Sequence, residues 1–169
     1  MPSPQQKPQR YTDTPFPTYR YLPFHKNMPH PRNDPEGHSY GLEEEYLAEF
    51  SDHDWPTCQP YLYAVDLFNY AYWWEAHESW ETVWVAAGRG TRSGLFVQGL
   101  IQIAAGQLKR FMREPNGAHL LTTGGLEKVS VADGIYLGIE IGVFRADVLN
   151  SLTDDKAVAP LIQLVFPSK

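Results

Sequence analysis

A single cysteine, Cys58, serves all 169 residues, so neither an internal disulfide nor a thiolate metal cluster can be built. Basic residues are also scarce: 14 Lys and Arg stand against 20 Asp and Glu, a formal charge of -6 with a pI near 5.4. Such a chain offers no basic face to a phosphate backbone, which argues against nucleic acid as a partner. Long apolar runs are missing too. The greasiest segment, Gly94 to Leu108, is broken by Gln98, Gln102 and Gln107, short of the ~18 apolar residues of a spanning helix, so no membrane is expected. The first residues hold no apolar export segment, and the expected location is the cytoplasm. A P-loop, a G-x-G-x-x-G turn and a G-x-S-x-G elbow are all absent, and Cys58 sits in Trp55-Pro56-Thr57-Cys58 without an activating neighbour.

What is present describes one domain with two regimes. With 43% hydrophobic and 14% aromatic residues, the chain is long enough for one packed core and too short for two. Nine of its fourteen prolines lie in the first forty residues, which excludes regular helix or a central strand there. Tyr11, Phe16, Tyr19, Tyr21, Phe24 and Tyr40 interleave those prolines, and a solvated linker would not carry so many rings. Residues 1–40 are therefore expected to form an extended arm lying against the rest, fraying before about Tyr11.

Residues 41–169 are expected to form a single helical bundle. A short acidic helix is read over Gly41 to Phe50, then a long one from about Tyr61 to Ala87, closed by Gly88. A second long helix runs from Gly94 to about Arg113, with Lys109, Arg110 and Arg113 near its C-terminus, where cations suit the dipole. A third spans Ala118 to Val129, weakened by Gly124-Gly125, and a fourth Ile141 to about Leu152. The apolar tail from Val158 to Phe166 is expected to pack back as an extended segment. Without useful β-alternation, the fold class is all-α: a compact bundle around a long antiparallel helix pair, wrapped by a Pro-rich N-terminal arm.

The chemistry concentrates in Trp73-Trp74-Glu75-Ala76-His77-Glu78-Ser79-Trp80-Glu81-Thr82-Val83-Trp84. At about 100° per residue, His77, Glu81 and Trp84 share a stripe with Asp66, Tyr70, Trp73 and Trp74, while Glu75, Ser79 and Thr82 face away. The tryptophans mark that stripe as buried, where a carboxylate must be paired, hydrogen-bonded or bound to metal. His-Glu-x-x-Glu is the zincin spacing with its last ligand exchanged for a carboxylate, which would make His77 and Glu81 ligands and Glu78 the general base. A structural imidazole–carboxylate pair and a metal-free acid–base pair fit the same spacing.

The pattern His-x-x-x-Glu-x-x-Trp of His77, Glu81 and Trp84 resembles the signature of the domain-of-unknown-function family 309. Val65-Asp66-Leu67-Phe68-Asn69 and Phe96-Val97-Gln98-Gly99-Leu100-Ile101-Gln102-Ile103-Ala104-Ala105 are similar to its companion blocks, so the resemblance covers about 61–129. It implies a small helical bundle and a metal role for the signature His and Glu, with no known reaction.

A metal would need a further ligand. His30 and His38, on the stiff Pro-rich arm, are the leading candidates, and His119 is a later one. Histidine and carboxylate ligands admit zinc, iron or manganese. Gln98 and Gln102 are read either as the solvated face of their helix or as partners orienting His77 and Glu81, Trp84 as core that fixes the site geometry, and Asp66 and Asn69 as polar partners or an exposed first turn. Two functions follow: a metal-dependent hydrolase, or a non-catalytic helical module binding a small molecule or a protein, with His77 and Glu81 as a structural buried pair.

Overall fold

The computed structural model describes residues 7–169, and the fraying expected before Tyr11 falls partly on residues 1–6, outside them. A 3₁₀ turn (Trp55–Thr57) leads into α1 (Gln59–Asn69), α2 (Trp73–Ala87), α3 (Arg92–Phe111), α4 (Pro115–Val129) and α5 (Ile141–Thr153). One antiparallel hairpin, β1 (Ile135–Tyr136) and β2 (Ile139–Glu140), precedes α5. Among the described residues the fold is all-α apart from this small feature. α3 packs on α2 and α4, and α1 on α2.

Four of the five helix starts have a local cause. Thr91 Oγ1 accepts the Gly94 N–H at 3.0 Å and caps α3. Glu140 caps α5 by accepting from Gly142 and Val143 at 3.2 and 2.7 Å. Pro stands in the first turn of both α1 and α4, where its missing N–H costs nothing. The amphipathic face of α2 is Trp73, Ala76, Trp80, Val83 and Ala87, all buried at heptad spacing. Facing them on α3 are the buried Phe96, Val97, Leu100, Ile103 and Ala104.

Three readings of the sequence are corrected. The helix expected over 61–87 is two helices, broken at Tyr70-Ala71-Tyr72, with Ala71 at φ 64. No Gly or Pro signals the break. Phe16 explains it, because the turn presents Tyr70 and Tyr72 to its ring with centroids 4.8 and 5.0 Å away. The acidic helix over 41–50 does not form: Gly41 has φ 72, Leu42 and Tyr46 are 65% and 84% exposed, and no buried stripe repays ordering it. The hairpin at 135–140 was too short to show as alternation. Gly125 also admits α3 to α4: a Cβ on it would lie 2.7 Å from the Gly99 carbonyl, and one on Gly99 would lie 2.8 Å from that of Gly125.

The N-terminal segment forms neither helix nor strand over residues 7–50. Asp66, fully buried on α1, accepts from Arg10 Nε (3.0 Å), the N–H groups of Tyr11 and Thr12 (2.7 and 3.0 Å) and the Thr12 hydroxyl (2.7 Å). Asn69 exchanges two 2.7 Å bonds with the backbone of Ile162, and Leu164 forms a bridge with Ile139. Both polar side chains are thus buried partners and not an exposed first turn, and the C-terminal tail packs as the extended segment expected.

Candidate functional site

α2 presents different chemistry on its two flanks because separate parts of the N-terminal segment cover them. Gly37 makes this possible: in the turn formed by residues 30–39, a Cβ there would collide with the carbonyl oxygens of His30 and Pro31. Gly37 N–H bonds to Asp34 O at 2.8 Å and Ser39 N–H to Pro31 O at 2.9 Å. The turn returns His38 to α2 and leaves His30 on the other flank.

The first flank is polar. Glu75 is only 5% exposed, and one oxygen, Oε1, accepts the Tyr21 N–H at 2.8 Å and faces His38 Nε2 at 3.0 Å. Oε2 is buried without a hydrogen-bond partner. Beside them is a cavity of about 340 Å³ whose wall includes Glu45, Glu78, Ser79, Arg32 and Tyr63. Burial pushes the carboxyls of Glu75, Glu78 and Glu45 above the ordinary range. The Tyr21 amide and His38 offset part of that rise for Glu75, and His77 and Arg32 part of it for Glu78. Arg32 stands 3.7 Å from Glu78, a loose and partly exposed pair. Burial also pushes the Tyr63 phenol up to about 12.

The second flank is aromatic. Tyr21, His30, Trp74 and His77 line a cavity of about 360 Å³ with Ala105 and Leu108 of α3, and Lys109 closes the wall. Trp74 meets Tyr21 and His77 at centroid distances of 4.9 and 4.6 Å, edge to face.

The stripe carries His77 and Glu81 into or to the edge of the core, and for Glu81 this is corrected. Glu81 is exposed and His77 half-buried, whereas Glu75, read as facing away, is the buried carboxylate. The phase was set by Trp73, Trp74 and Trp84, but the face that enters the bundle is centred on Ala76, Trp80, Val83 and Ala87. Trp84 lies at the edge of that face, half-buried under the Arg89 guanidinium at 4.7 Å.

The imidazoles do not form the proposed ligand set. His38 has both ring nitrogens engaged, Nε2 with Glu75 and Nδ1 with the Ser39 hydroxyl at 2.8 Å. His30 Nδ1 accepts the backbone N–H groups of Arg32 and Asn33, each at 3.3 Å, so its proton sits on Nε2 and no lone pair remains for an ion. His77 is the exception: Nδ1 bonds the Trp74 carbonyl, which leaves Nε2 as an acceptor. His30 and His77 share the aromatic cavity, His38 and Glu78 the polar one, and Glu81 borders neither. Gln98 and Gln102 do not reach His77 or Glu81 either: Gln102 Oε1 accepts from Lys128 of α4 at 3.1 Å, and Gln98 borders neither cavity. Among the described residues, no three His, Cys, Asp or Glu side chains converge to hold a metal ion.

Sequence reasoning missed Glu75, Arg32 and Ser79. Nothing local marks them, since Glu75 is buried by residues as far as 54 positions earlier. A charged residue within two positions of a tryptophan pair was the only signal.

Residues 61–121 match the family model described as Domain of unknown function (DUF309), a span from the start of α1 into α4 that includes both flanks of α2. No curated protein matches the chain. No helix among the described residues is long and apolar enough to cross a membrane.

Proposed function

Starting from a chain whose residues 61–121 carry this domain of unknown function, we propose a small-molecule-binding module whose ligand is an organic cation held in the polar cavity of α2. One observation carries the reading: Glu75, whose Oε2 is buried without a donor, lines a cavity that also presents Glu78. Buried acceptors are almost always satisfied, so this oxygen calls for an N–H or O–H from outside the chain. Glu45, Glu75 and Glu78 outnumber the fixed positive charge of Arg32. An ammonium or guanidinium group would supply both the donor and the charge and hold all three carboxylates ionised. Phe16 and Tyr63, with rings stacked 6.5 Å apart, provide an apolar wall for the rest of such a ligand.

The metal-dependent hydrolase fits less well. Two of its expected histidine ligands are already committed, and Glu78, its general base, borders a different cavity from His77. The residues present do not complete an ion's coordination.

Calorimetric titration with 1,4-diaminobutane, n-butylammonium and uncharged 1-butanol tests the proposal. The amines should bind saturably and 1-butanol should not. Glu78→Gln, at a half-buried position, should weaken amine binding about tenfold. Equal binding of 1-butanol, or no amine binding, overturns the reading. If instead Zn²⁺ or Mn²⁺ raises the melting temperature of wild type but not of His77→Ala, the metal site replaces it.

A further inference from the structure

A separate cavity of about 470 Å³ lies where the end of α3, the start of α4 and the end of α5 meet the first residue of α2, and it shares no lining residue with the polar cavity. Three residues of its wall carry buried polar atoms without partners: Trp73 Nε1, Arg110 Nε and Gln107 Oε1. Gln107 is 1% exposed. Its amide orientation is fixed by its neighbour, since the Ser151 hydroxyl donates to Val148 O at 2.7 Å and accepts Gln107 Nε2–H at 2.9 Å, which leaves Oε1 free. Arg110 is held just as firmly: its Nη2 donates to the carbonyls of Asp154, Asp155 and Ala157 at 3.2, 3.3 and 2.6 Å.

Two unpaired donors and one unpaired acceptor, all on residues that line this one cavity, are far from the near-complete pairing normal for buried groups. Arg110 and Arg113 outweigh Asp155 among the lining charges, and His119 is exposed at the edge. Trp73 and Phe111 form an aromatic side, with centroids 5.9 Å apart.

We propose that this cavity binds a small organic carboxylate that also carries a hydrogen-bond donor and an aromatic body, the class of aromatic 2-hydroxy and 2-amino acids. The carboxylate takes the Trp73 and Arg110 N–H groups and the charge of Arg113. The hydroxyl or ammonium donates to Gln107 Oε1, and the ring lies against Trp73 and Phe111. This site is independent of the organic-cation reading, and a Glu78→Gln variant should bind its ligand unchanged.

The test is calorimetry with L-phenyllactate, its methyl ester and 3-phenylpropionate, which lacks the hydroxyl. Phenyllactate should bind one to one, and the ester and the deoxy acid should each bind about tenfold more weakly. Arg113→Gln at the exposed edge leaves the core untouched and should weaken phenyllactate about tenfold. Trp73→Phe keeps the ring and removes the N–H, and should weaken both acids while leaving the ester's binding weak. No saturable binding of phenyllactate at millimolar concentration overturns the proposal, as does equal binding of the ester or affinity unchanged in Arg113→Gln.

Discussion

Glu75 is where one side chain's environment is most at odds with its chemistry. Its carboxyl is held above its ordinary value of 4.5, first by burial. The folded chain therefore keeps a proton that the unfolded chain has already released, and stability falls as pH rises from the unfolded value through the folded one. Glu78 and Glu45 shift in the same direction, while His38 and Arg32 are the cationic or ionisable partners facing them. Glu75→Gln keeps an acceptor for the Tyr21 amide and His38 but cannot ionise. Urea midpoints at pH 4, 5, 6 and 7 should show a smaller decline in the variant than in wild type. An undiminished decline would assign the effect to Glu78 and Glu45 alone.

Among the elements, the break between α1 and α2 and the crossing of α3 over α4 are the most exposed to single changes. Ala71 adopts φ 64, a left-handed conformation that costs an L-residue about 1 to 2 kcal/mol and glycine little. Ala71→Gly should raise stability by about 1 kcal/mol, read as a higher denaturant midpoint at constant slope. Gly99→Ala should do the opposite, since its new methyl meets Val129 Cγ1 at 2.7 Å and the Gly125 carbonyl at 2.8 Å; overpacking of this kind costs about 1 to 3 kcal/mol. The sequence disclosed the elements unevenly. Periodicity located α3 and α5 to within about two residues because their buried faces are mostly apolar. It was silent on the turn at Ala71 and on the company Glu75 keeps, because both are imposed by Phe16, Tyr21 and His38 from a distant, irregular segment. Helical phase also misled wherever the largest rings, Trp74 and Trp84, sat beside the core and not at its centre.

At the scale of the whole molecule, the two most separated described segments touch. The Leu164 N–H donates to the Tyr11 hydroxyl at 2.8 Å across 153 positions, and Phe166 packs on both Tyr11 and Trp55 with centroids 5.9 and 4.9 Å away. Contacts between such remote positions form late, because the intervening loop must be closed before they return anything. They therefore act on the rate of escape from the native basin more than on the rate of entry. Tyr11→Phe, which deletes one hydrogen bond worth about 1 kcal/mol, should accelerate the unfolding limb of the chevron about fivefold and leave the folding limb in place. The pairing of Tyr11 with Leu164 is in this sense a latch on the lifetime of the folded state.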